Sequence, residues 1–173
     1  MLKPAILYKD QIQQASYLLA GTDDMFYYSG WSENDIINID METGSPWERR
    51  QFASINADGQ LLGYISYCID HQTRTAFQFG LMSFKKGNLT ILRDIDRVFE
   101  GLVADPYIHR IEWKMIGGNF VEKAYDKLCQ KYGGRKLVMH DVVVDKYGDF
   151  HDDAIYEIIK GYRLTIERNR CDD

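Results

Sequence analysis

The chain has 173 residues, 45% of them apolar and 27% charged, enough for one domain around one sizeable core. A formal net charge of -5 argues against general nucleic-acid binding and is compatible either with a cationic substrate or with an ordinary soluble surface. Cys68, Cys129 and Cys171 are an odd, widely spaced set, which is neither a disulfide framework nor a zinc-ligand pattern. Reduced thiols point to a cytoplasmic setting with no metal. No apolar run is long enough to span a membrane, and Met1-Leu2-Lys3-Pro4 opens no signal-peptide pattern. The expectation is a single domain over 1–173, ending in a charged tail from about 161.

The pattern predicts a first helix from Asp10, with Gln13 as capping-box partner, a stripe of Ile12, Ala15, Leu18 and Leu19, and Gly21 as its stop. An aromatic loop, 25–31, follows, and Ser32 caps a second helix to about Ile39. Arg50 to Asn56 and Leu61 to Asp70 read as strands joined by a hairpin at Asp58-Gly59. A third strand spans Thr75 to Phe84, with Phe77, Phe79 and Leu81 on one face. Asn88 or Thr90 then caps a helix with Ile91, Ile95, Val98 and Leu102 in one stripe and Leu92 and Phe99 beside it. The next strand turns Ile111, Trp113 and Met115 inward and Arg110, Glu112 and Lys114 outward. A further helix starts at Asn119, with Glu122 at its capping-box position, and Gly133-Gly134 closes it. Lys136 to Asp145 and Asp153 to Lys160 are the last strands.

The class is α+β, a central mixed and mostly antiparallel sheet flanked by about four helices. The crossover over roughly 75–116 makes two strands parallel, and a ligand can lie where they part.

Two passages carry a family resemblance. One is Gly118-Asn119-Phe120-Val121-Glu122-Lys123-Ala124-Tyr125, a glycine turn into a helix that bears a tyrosine. The other is Gly133-Gly134 followed by His140-Asp141-Val142-Val143-Val144-Asp145 and Tyr147-Gly148-Asp149-Phe150-His151-Asp152. With the element order, these resemble the GNAT superfamily of N-acetyltransferases over nearly the whole chain. The likeness is nearest to the branch of ribosomal-protein N-terminal and related small-amine acetyltransferases. The resemblance implies a GNAT-like acyl-CoA N-acyltransferase fold, acetyl-CoA as co-substrate, and transfer to a primary amine of a small molecule or protein N-terminus. It implies no nucleic-acid or membrane partner; exposed aromatics would suit a homodimer.

The chain departs from the family pattern twice. The pyrophosphate loop, usually R/Q-x-x-G-x-G/A, reads Phe84-Lys85-Lys86-Gly87-Asn88-Leu89-Thr90, with one glycine. Leu89 would crowd the backbone approach to phosphate; Lys85 and Lys86 either pair with phosphate directly or form a solvated turn. Asn119 precedes Tyr125 by six positions, where the family has seven. It is an N-cap, a pantetheine contact, or both.

By the resemblance, Tyr125 is the general acid; the alternative is a core aromatic. A phenol, with an ordinary pKa of about 10, carries its proton at neutral pH and so has one to give to a departing thiolate. Glu112 is the candidate base through water, or else a cross-strand ion-pair partner. Backbone N–H groups from Met82 through Ser83 to Phe84 would hold the thioester. Tyr27, Tyr28 and Trp31 form an aromatic wall for the amine, or a lid, and His140 is a further substrate contact. The competing function is a GNAT-like domain that binds acyl-CoA or a protein partner without turnover.

Overall fold

The computed structural model describes residues 1–28, 47–85 and 87–161. One seven-stranded sheet runs through them in the order β1-β2-β3-β4-β5-β7-β6. The strands are β1 (Leu2–Pro4), β2 (Glu48–Ile55), β3 (Leu61–Asp70), β4 (Thr75–Ser83), β5 (Arg110–Ile116), β6 (Arg135–Val144) and β7 (Phe150–Ile159). The helices are α1 (Lys9–Ala20), α2 (Leu89–Ala104) and α3 (Glu122–Lys131), with 3-10 segments at Ala5–Tyr8 and Asp23–Tyr28. The predicted helix from Ser32 lies outside the described residues.

All neighbouring strands pair antiparallel except β4 and β5, the parallel pair expected from the crossover. That pair holds only at Thr75↔Arg110 and Ala76↔Ile111. Just beyond it β4 carries a bulge: Ser66 and Cys68, two apart on β3, face Gly80 and Phe77, three apart on β4. Gln78 takes the extra step with φ 49°, in the left-handed region that non-glycine residues rarely occupy. A bulge bends its strand, and this one stands where β4 leaves β5.

The sheet has a core on each face. Against α2 and α3 lie Ile65, Ile111, Trp113, Met115 and Tyr156, packed on Ile95, Phe99 and Leu128. On the other face, Ala53, Ile55, Tyr64 and Met82 meet Ile12 of α1 and Tyr28 of the second 3-10 segment. α2 follows its predicted stripe, and the Asn88 side chain accepts from Thr90 N at 2.8 Å as its cap.

Several expectations are corrected. α1 is capped at Tyr8 with no side-chain bond, which leaves Asp10 inside its first turn. Leu18 is exposed while Ser16 is buried, because Ser16 returns its hydroxyl to Ile12 O. α3 starts at Glu122, three residues later than expected. Asn119 instead accepts from Val121 N at 3.1 Å, an Asx turn ahead of the helix, and Glu122 pairs with Lys136. β1 has no sequence signal, having only three residues and ending in Pro4.

Candidate functional site

A cavity of about 190 Å³ opens where β4 and β5 part. Its lining comes from both faces of the sheet. Leu81, Ile95, Met115 and Tyr125 belong to the α2/α3 side, and Tyr28 and Met82 to the α1 side. The cavity therefore passes through the sheet.

Its walls follow from strand geometry. Beyond Ala76 no described strand pairs with β4 on its β5 side. Phe84 N–H donates to Leu62 O at 2.9 Å, toward β3. Since alternate residues point their N–H groups to opposite edges, those of Leu81 and Ser83 face the gap, and that of Met82 does not. Of the three residues expected to hold a thioester, Ser83 alone turns its N–H to the gap; Leu81, which the sequence did not single out, does so too.

At one end stand Gly87, Asn88 and Leu89. Gly87 has φ 72°, and Leu89 begins α2 with its side chain 64% exposed. The Asn88 cap occupies the N–H of Thr90, and Thr90 does not line the cavity. Lys85 turns away, with Nζ 3.3 Å from Gln60 Oε1 in the β2–β3 turn. Lys86 lies outside the described residues.

At the other end Tyr125 is buried on α3. Burial, reinforced by the neighbouring Tyr28 and Tyr156 phenols, pushes its hydroxyl well above the ordinary phenol range, so it holds its proton at neutral pH. Asn119 and Phe120 close that end beside Tyr27, whose hydroxyl approaches Gly118. Gly118 adopts φ 82°, a turn that glycine tolerates.

The structure thus brings Tyr27, Tyr28, Met82, Ser83, Gly87, Asn88, Leu89, Asn119 and Tyr125 to one cavity. It does not bring Glu112, His140, Phe84, Lys85 or Thr90 there. Glu112 Oε2 meets Arg110 Nη2 at 2.6 Å. His140 pairs with Asp152 at 3.1 Å on the outer hairpin, where Asp141, with φ 56°, interrupts the strand. Trp31 lies outside the described residues. Lys114, which alternation sends to solvent, is exposed as expected and also borders the cavity, a place sequence reasoning had not given it.

Among the described residues, no three or more His, Cys, Asp or Glu side chains converge in a metal-binding arrangement, and no helix is long and apolar enough to cross a membrane.

No family model matches the chain, and no curated protein matches it. Solved structures do. The spermidine N-acetyltransferase of Vibrio cholerae, solved with CoA and spermine, is 14% identical, covers 92% of this chain and 94% of its own, and has a TM-score of 0.65. A chimera of that enzyme with hSSAT is 16% identical, covers 92% and 95%, and has a TM-score of 0.63. The fold is that of the GNAT acetyltransferases, as the two sequence passages implied.

Proposed function

We propose that this chain is an N-acetyltransferase that moves the acetyl group of acetyl-CoA to a primary amine of a small molecule or protein N-terminus. The observation that carries the reading is the cavity through the sheet, with a protonated, buried Tyr125 on one side and Tyr27 and Tyr28 toward the other. The similar Vibrio cholerae structure, an N-acetyltransferase solved with CoA and spermine, supports CoA as the acyl carrier and an amine as the acceptor.

The amine nitrogen attacks the thioester carbonyl carbon and forms the C–N bond. The C–S bond then breaks, and the departing thiolate takes the proton of the Tyr125 hydroxyl. The proton lost by the amine passes through water and restores the Tyr125 hydroxyl, so that one proton leaves nitrogen and one reaches sulfur. The N–H groups of Leu81 and Ser83, freed along the β4 edge, hold the carbonyl and the pantetheine arm. The pyrophosphate sits at the Gly87–Leu89 end, where the first N–H groups of α2 have no partner within the helix. Tyr27 and Tyr28 flank the acceptor.

Calorimetric titration with acetyl-CoA, and separately with CoA, tests the reading. The expected result is micromolar or tighter binding, about -8 kcal/mol, followed by release of free thiol when an amine panel is supplied. Absence of binding up to millimolar acetyl-CoA would overturn it.

A further inference from the structure

Resting on the N-acetyl-transfer reading, we infer that Lys114 selects the acceptor, and that the acceptor carries a carboxylate beside its amine: an amino acid rather than a polyamine.

Strand alternation places Arg110, Glu112 and Lys114 on the face of β5 opposite Trp113 and Met115. The charges toward the start of that face are spent on each other. Arg110 Nη2 lies 2.6 Å from Glu112 and 2.7 Å from Glu157, and Arg135 takes the second oxygen of Glu157. Lys114 stands outside this network. Its partner across the β5–β7 ladder is Ile155, and among the described residues no carboxylate lies within ion-pair distance of it. Asp153, diagonal to it on the ladder, is half-buried and makes no ion pair among the described residues either. Lys114 lines the cavity, on the face where Tyr28 and Met82 lie.

Among the described residues the acceptor side therefore presents an exposed ammonium group beside a mostly aromatic and apolar wall. A polyamine entering there meets like charge at the exposed Lys114. A carboxylate carried by the acceptor meets its counter-ion, which fixes the nearby amine toward the thioester. The net charge of -5 does not reverse this, because salt screens distant surface charges over about 8–10 Å while the cavity wall acts at contact.

The test compares β-alanine with β-alaninamide, the same amine with and without its carboxylate, and adds spermidine. Wild type should favour the acid over the amide by about tenfold in kcat/KM. Lys114→Gln should abolish that preference, and Lys114→Glu should shift it toward spermidine, with unfolding midpoints reporting that each variant folds. Binding of the same pair to the CoA-loaded protein reads the preference without turnover. Equal treatment of acid and amide by wild type, or a preference that survives in Lys114→Gln, overturns the inference and leaves acetyl transfer standing. Failure to bind acetyl-CoA at all overturns the enzyme reading and this inference with it.

Discussion

The Trp113 and Tyr156 rings lie parallel across the β5–β7 ladder, with centroids 5.1 Å apart and planes 5° from coplanar. Tyr125 meets each of them nearly edge-on, at 6.3 Å and 6.0 Å. Such ring pairs fix an aromatic in place beyond its burial alone. The phenol ring is thus held by carbon contacts, and its hydroxyl is free to serve chemistry. Tyr125→Phe keeps all the ring contacts and removes the proton. The expected outcome is a fall in kcat of about 10² or more, with the unfolding midpoint and CoA affinity close to wild type. Steady-state kinetics beside calorimetry check it; an unchanged kcat would remove Tyr125 from the acid role.

The same pair of phenols predicts behaviour in alkali. Burial raises Tyr125, with Tyr28 and Tyr156 adding to it, and burial followed by the Asp126 carboxylate raises Tyr156. The folded values thus lie above the ordinary phenol value of about 10. The stability this supplies is complete below that pH and is lost above it, where the unfolded chain releases protons the native state keeps. Tyrosinate absorbance should show at least two tyrosines titrating only together with loss of the circular dichroism signal. Full titration of every tyrosine while the fold persists would contradict this.

Asp94 supplies a third test. It is fully buried in α2, where its carboxylate accepts from Ser54 Oγ at 2.8 Å, from Arg97 at 3.2 Å and from the Met1 nitrogen at 2.8 Å. Arg97 is largely exposed and can return to water; Ser54 is completely buried and cannot. The cost of Asp94→Ala is therefore set chiefly by the stranded Ser54 hydroxyl, about 1–3 kcal/mol. Ser54→Ala in the same background should recover part of that loss. Strictly additive denaturation free energies in the double-mutant cycle would show that this hydrogen bond is not the source.

Asp94 also marks where reading the sequence stops. The helix stripe Ile91, Ile95, Val98 and Leu102 was legible because apolar spacing reports a buried face directly, and Asn88 and the Asp58-Gly59 turn were legible because local chemistry decides them. A carboxylate inside that stripe needs a partner from β2, forty positions earlier, and no local pattern announces it. The site divides in the same way. Tyr125, Asn119 and the tyrosines of the 3-10 segment were found through motif and order. The bulge at Gln78, the alternating N–H groups of Leu81 and Ser83, and the place of the exposed Lys114 at the cavity depend on how β4 parts from β5. That parting is a property of two strands in register and leaves no signal in either alone.

Two glycines separate packing from backbone conformation. Gly59 sits in the hairpin at φ 78° with open space around it, so Gly59→Ala should cost about 1 kcal/mol through backbone strain alone. Gly63 has no such φ, but a Cβ there would overlap the Ile91 side chain and the Met82 carbonyl. Neither neighbour can yield cheaply, since Met82 is in β4 and Ile91 is buried on α2. Gly63→Ala should therefore cost about 1–3 kcal/mol by overpacking. Because Ile91 and Met82 both line the cavity, it should also weaken CoA binding, an effect absent from Gly59→Ala. Denaturant midpoints and CoA titrations on the two variants decide the matter. Equal CoA affinities would mean that the displacement of α2 from β3 stops short of the cavity.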